Sequence, residues 1–119
     1  MTVPILHVLL VITKGEIGGA QTHIVELCRA LQGRVRFTAF IGGDGNSYLK
    51  QELQALGVST NVLPDLRNSL NPLSIFKSVQ ALREQMREDP PDLIHAHSAV
   101  AGVVARFFFN DTATTEIYT

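Results

Sequence analysis

The feature that most constrains this chain is a change of rhythm near its start. Ile5 to Ile12 is a near-continuous apolar run, rich in β-branched residues and interrupted only by His7. Runs of this kind mark a strand covered on both faces, as in a parallel sheet. The glycine-rich stretch Thr13-Lys14-Gly15-Glu16-Ile17-Gly18-Gly19 follows. From Ala20 the apolar residues Ile24, Leu27, Cys28 and Leu31 fall at i, i+3, i+4 and i+7, one face of a helix that Gln32-Gly33 closes. The opening unit is therefore strand, glycine turn, helix.

The unit then recurs. Val35 to Ile41 predicts a second strand and Gly42 to Asn46 a turn. Ser47 predicts the N-cap of a helix carrying Leu49, Leu53 and Leu56, stopped by Gly57. Val58 to Leu63 is a short third strand. Asn71-Pro72 is a helix start, a capping side chain followed by proline in the first turn. Ile75, Val79, Leu82 and Met86 carry that helix to about Glu88, before Pro90-Pro91 forbids continuation. Asp92 to His97 predicts a fourth strand, and Ala99 to Arg106 the start of another helix. Strands alternating with helices define an α/β domain with a parallel sheet.

Composition narrows the function classes. The 119 residues suffice for one core but not for two domains of usual size. A net charge of -1 provides no field for nucleic acid or an anionic membrane. The lone cysteine, Cys28, excludes an internal disulfide and fits a reducing compartment. It lies on the apolar helix face, so a buried small hydrophobe is expected rather than a nucleophile. No apolar run approaches the roughly 20 residues of a bilayer span. No basic residue precedes the first apolar run, so no secretory signal is expected. The expectation is a cytoplasmic location.

The last thirteen residues break the pattern. Phe107-Phe108-Phe109 leads into Asn110-Asp111-Thr112-Ala113-Thr114-Thr115-Glu116-Ile117-Tyr118-Thr119, which has neither period. From Asn110 onward the residues match one reading frame of a sequencing flow-cell adapter. Residues 1–106 are accordingly taken as the domain and 107–119 as a non-native tail, the native end falling between Arg106 and Asn110.

Three places could carry chemistry. Gly18 and Gly19 sit between a buried strand and a helix, where backbone N–H groups can approach a diphosphate. The spacing is neither a dinucleotide fingerprint nor a Walker motif, so taken alone the turn reads first as a structural one that needs unusual backbone angles. In His95-Ala96-His97-Ser98, positions 95 and 97 point to one face of a strand near its carboxyl end. No Cys, Asp or Glu at ligand spacing accompanies them, so no metal site is expected. A role in hydrogen-bonding neighbouring loops stays open for both histidines, and a structural role is expected for His7. In the loop Arg67 to Pro72, Arg67 can bind an anion or face solvent. The helix that follows bears Lys77, Arg83 and Arg87 but also Glu84 and Glu88, which reads as a mixed, solvated face rather than a membrane-docking stripe.

Two segments together resemble glycosyltransferase family 4: Gly18-Gly19-Ala20-Gln21-Thr22-His23-Ile24-Val25-Glu26-Leu27, and Pro91-Asp92-Leu93-Ile94-His95-Ala96-His97-Ser98 with Ala101-Gly102 after it. Arg67 and Asn71-Pro72 are similar to the same region of members that build capsule and exopolysaccharide. The resemblance implies the N-terminal half of a GT-B fold, two facing Rossmann-like three-layer domains. It implies sugar transfer from a nucleoside-diphosphate sugar to an acceptor hydroxyl with retention, without a metal or other cofactor, in polysaccharide or glycan biosynthesis. Carried over, Gly18 and Gly19 face the donor phosphates, while His23, His97, Ser98 and Arg67 belong to the acceptor side. Many relatives have a lysine just before the Ala-Gly, where this chain has Val100, which removes one anionic acceptor contact. The family's catalytic histidine, on the following strand, and its donor-holding C-terminal domain are not matched, so the fragment alone is expected to be inactive. The implied partners are a nucleotide sugar and a glycan or lipid-linked acceptor, with peripheral membrane association of the parent protein and no nucleic acid. Two other readings stand beside this one: a GT-B-like UDP-sugar 2-epimerase fragment, and a small non-catalytic nucleotide- or partner-binding α/β module. A receiver-type module needs an acidic cluster at its strand ends, where this chain has Thr13-Lys14 and only Asp44 nearby.

Overall fold

A computed structural model describes residues 5–14, 18–43, 47–66, 71–109 and 116–118. Gly15, Asp44 and Arg67 lie outside them. The elements are β1 (Leu6–Ile12), α1 (Gly19–Ala30), β2 (Val35–Gly42), α2 (Tyr48–Ala55), β3 (Ser59–Leu63), α3 (Pro72–Gln85), β4 (Leu93–His97), α4 (Ala99–Phe109) and β5 (Glu116–Tyr118). All strand pairs are parallel, in the order β3-β2-β1-β4-β5.

The alternation of β1 explains the three layers. Leu9 and Val11 point to one face, where they join Phe40, Ile94 and Ala96 under α3 and α4. Val8, Leu10 and Ile12 point to the other, with Phe37, Ala39 and Ile41 under α1 and α2. Both faces are dry, which is why β1 needed apolar residues at nearly every position. His7 is the exception and is buried (2% exposed). Its Nε2 lies 2.8 Å from the Thr38 hydroxyl and its Nδ1 3.3 Å from the Pro90 carbonyl. Its backbone N–H donates to the Asp92 carboxylate, and Asp92 N–H donates back to the His7 carbonyl, both at 2.8 Å. The structural role expected of His7 is thus to tie β1 to β2 and to the approach of β4.

The helix signals hold. The Ser47 hydroxyl accepts from Lys50 N–H at 3.2 Å. Asn71 Oδ1 accepts from Leu73 and Ser74 N–H at 2.9 and 3.4 Å, with Pro72 in the first turn. Helix α3 ends at Gln85 rather than about Glu88. The chain leaves it early, placing Asp89 against Arg36 in a two-pronged pair at 2.6 and 2.9 Å and burying Pro91.

The carboxyl end differs from expectation in two places. Helix α4 starts at Ala99 as expected but takes in Phe107–Phe109, where no helical period was read, and Phe108 (1% exposed) packs into the core with Val104 and Leu82. The apolar period of α4 runs through Phe108, and burying a phenylalanine contributes about 1.5–3 kcal/mol. Glu116–Tyr118, where no strand was expected, pairs in parallel with Leu93–His95. The open edge of β4 offers unpaired backbone groups to an extended segment, and Ile117 and Tyr118 are residue types that favour strands.

A candidate ligand site at the strand-order switch

From β1 the chain adds β2 and β3 to one side, then crosses over to place β4 on the other. The strand order therefore reverses between β1 and β4. In an open parallel sheet this reversal leaves a crevice beyond the carboxyl ends of the two strands, where ligands bind.

The residues singled out in the sequence converge there. Gly18 and Gly19 follow the end of β1 and open α1. Gln21 Nε2 donates to the Lys14 carbonyl at 2.9 Å, and the Thr22 hydroxyl to the Gly18 carbonyl at 2.8 Å, so the helix start is held against the strand end. The first intrahelical bond is Thr22 N–H to the Gly18 carbonyl. The N–H groups just ahead of it have no partner within the helix. No acidic residue occupies the first turn, which would repel an anion. A Cβ on Gly19 would meet nothing within 4 Å, so that position is open.

His97 is the register partner of Ile12, which puts it at the β1 side of the crevice. His95 lies on the same face, with the two ring centroids 4.0 Å apart. His23 is exposed on α1, close enough that its charge lowers the proton affinity of both. Burial, then His95 and His23, push the His97 pKa down to about 4; burial and His23 also lower that of His95. These two rings are neutral hydrogen-bonding groups near pH 7, not counter-ions for a diphosphate. Nε2 of His97 is buried with no protein partner.

Ser98 joins β4 to α4 with φ at 154°, a strained backbone for a residue with a side chain. Its hydroxyl oxygen accepts from Ala101 N–H at 3.0 Å and caps α4, leaving its proton to donate elsewhere. A cleft of about 400 Å³ lined by Ser98, Ala99, Gly102, Val103 and Arg106 opens beside it.

Gly18, Gly19, His23, His97 and Ser98 are thus brought to one edge of the sheet, while Arg67 lies outside the described residues. The sequence paired His95 with His97 without including it in the site; the strand period alone could have done so. It gave no sign of Gly42, whose position at the end of β2 leaves no room for a side chain: a Cβ would lie 2.2 Å from the Leu66 carbonyl oxygen and 2.5 Å from that of Thr13. Among the described residues, no three His, Cys, Asp or Glu side chains are grouped to hold a metal ion. No helix among them is long and apolar enough to cross a membrane.

This architecture recurs in solved glycosyltransferases. HepE (Alr3699) of Anabaena, determined with UDP and again with UDP and glucose, superposes at a TM-score of 0.66 for the UDP complex, with 20% identity over 95% of this chain and 29% of that one. The lipopolysaccharide outer core galactosyltransferase WaaB gives 0.70 at 15% identity over 94% of this chain and 32% of its own. MurG of Acinetobacter baumannii gives 0.66 at 16% over 94% and 34%. The chain spans about a third of the length of these proteins. No curated protein matches it. The fold is thus the Rossmann-like α/β domain of GT-B glycosyltransferases. Within that class the sequence is specific, for the profile of glycosyltransferase family 4 matches residues 17–111. The chain belongs to glycosyltransferase family 4.

Proposed function

We propose that this chain is the N-terminal, acceptor-side part of a retaining glycosyltransferase of hexosyl type. The parent enzyme transfers a sugar from a nucleoside-diphosphate sugar to the hydroxyl of a glycan or lipid-linked acceptor, in polysaccharide or glycan assembly at the cytoplasmic face of a membrane. The reading is carried by the open, uncapped start of α1 at Gly18-Gly19, at the reversal of strand order, inside the segment that matches the family. As the donor bond breaks, charge builds on the leaving diphosphate. Backbone N–H groups fixed at a helix start stabilise it without reorganising and need no metal. His97 and Ser98 offer neutral donors and acceptors for sugar hydroxyls across the crevice, His23 adds an exposed ring from α1, and Arg67 belongs to the same side by resemblance. The UDP held by HepE supports a nucleoside-diphosphate partner.

The test uses the parent protein. Sugar transfer to an acceptor in the presence of a chelator, with the anomeric configuration kept, is the expected result. Conversion of the nucleotide sugar with no acceptor present would instead identify an epimerase and overturn the proposal. Gly19→Ala should weaken UDP binding about tenfold, roughly 1.4 kcal/mol, without loss of thermal stability. Residues 1–119 alone should give no turnover above blank, because they span about a third of the length of the GT-B proteins they match.

A further inference from the structure

Among the described helices, α1 differs in how its first turn is bonded. Ser47, Asn71 and Ser98 each accept from a first-turn N–H of the helix they precede, whereas no side chain caps α1. Its first-turn side chains donate to carbonyls instead. Gln21 Nε2 gives a hydrogen bond to the Lys14 carbonyl at 2.9 Å, and the Thr22 hydroxyl gives one to the Gly18 carbonyl at 2.8 Å. The Gly18 carbonyl also accepts from Thr22 N–H at 2.9 Å, so both of its lone pairs are engaged. Lys14 and Gly18 are the described residues on either side of positions 15–17, so two adjacent side chains tie down both flanks of the glycine turn.

Gly18 fits this arrangement. Its backbone is extended, with φ at 179°, which any residue can adopt, so backbone geometry does not demand a glycine there. Beyond its chain neighbours, a Cβ at this position would have two heavy atoms within 4 Å, Oε1 of Gln21 at 2.9 Å and Cδ of Gln21 at 3.8 Å. An alanine at 18 is therefore accommodated only if the Gln21 amide moves, and that amide is what holds the Lys14 carbonyl.

A carbonyl oxygen carries partial negative charge and repels a phosphate held beside it. A donor already bonded to that oxygen offsets the repulsion and fixes the peptide, so N–H groups at the helix start meet the anion without reorganising. We propose that Gln21 and Thr22 are positioning residues for the donor diphosphate: they engage the Lys14 and Gly18 carbonyls and leave the start of α1 presenting donors to the leaving group. Neither side chain needs to touch the ligand. The inference rests on the donor reading of Gly18-Gly19 and adds two residues that set the affinity of that turn.

The test measures UDP binding to the 119-residue chain by phosphorus NMR, beside thermal melts of each variant. Gln21→Ala and Thr22→Val should each weaken UDP binding about fivefold, the scale of one hydrogen bond. Thr22→Ser, which keeps the hydroxyl, should restore the affinity. Gln21→Glu, which replaces the donor by a carboxylate, should weaken binding more than Gln21→Ala. Melting temperatures should hardly move, because both bonds are exposed and water replaces them. The decisive result is a double-variant cycle. Gly18→Ala alone should lose about as much affinity as Gln21→Ala, and the two together little more than either. Additive losses would place Gly18 against the ligand independently of Gln21 and overturn the proposal, as would unchanged affinity in Gln21→Ala and Thr22→Val. Failure of the unaltered chain to bind UDP would instead remove the donor reading, and this inference with it.

Discussion

The imidazole rings of His95 and His97 pack with their centroids 4.0 Å apart and their planes tilted by 46°. They stand on the same face of β4 because side chains two apart in a strand share a face, and α1 brings His23 near them. The group loads the crevice with imidazole nitrogen while keeping its two deeper members uncharged at neutral pH.

A pH dependence follows. An unfolded chain protonates this histidine near 6.5, whereas folded His97 does so only near 4. Between those values the unfolded state binds more protons, so stability falls as pH drops from about 6.5 to 4. Thermal melts across that range should show the slope, and His97→Gln should flatten most of it. An unchanged slope would mean that His97 is not held neutral.

The opposite edge of the sheet depends on His7. Replacing it by leucine leaves the Thr38 hydroxyl buried without its 2.8 Å partner, which costs about 1–3 kcal/mol. Adding Thr38→Val should recover part of that loss, because both polar partners are then gone. Urea titrations of the single and double variants measure the coupling.

Two glycines separate packing from ligand contact. Gly42→Ala should cost about 3 kcal/mol or more, because its new methyl group would overlap two backbone oxygens that have nowhere to move. Gly19→Ala meets no neighbour and should leave the melting temperature nearly unchanged. Equal melting temperatures for the two variants would contradict this packing.

Phe108 reports whether α4 extends past Arg106. Phe108→Ala should destabilise the fold by about 3–5 kcal/mol, as for other buried aromatic residues. A negligible change would return Phe108 to a loosely attached tail.

Cys28 is buried, and burial pushes its thiol pKa up to about 11. A thiol reagent near pH 8 should leave it unmodified in the folded chain and label it once denaturant is added. Rapid labelling of the folded protein would be the opposite result.

Much of the fold was written locally. The unbroken apolar run of β1 required cover on both faces, and Ser47 and Asn71-Pro72 marked helix starts, since capping is a contact between residues two or three apart. The same-side placement of His95 and His97 also followed from strand period alone. The matching segments around Gly18-Gly19 and His95-Ala96-His97-Ser98 indicated the family before any fold was known.

What the tertiary structure decided depends on residues distant in sequence. Periodicity does not state strand order, so only the crossover that sets β4 beside β1 places His97 opposite Ile12 and makes one crevice of two motifs. The tight seat of Gly42 against Leu66 and Thr13, and the bond from His7 to Thr38, arise between neighbouring strands and leave no local pattern. The ends of α3 and α4 were set by contacts, Asp89 reaching back to Arg36 and Phe108 reaching into the core. The sequence by itself determined which residues want to be buried and where elements start. The folded chain decided which of them meet, because long-range pairing and packing are free energies of contact that no single segment contains.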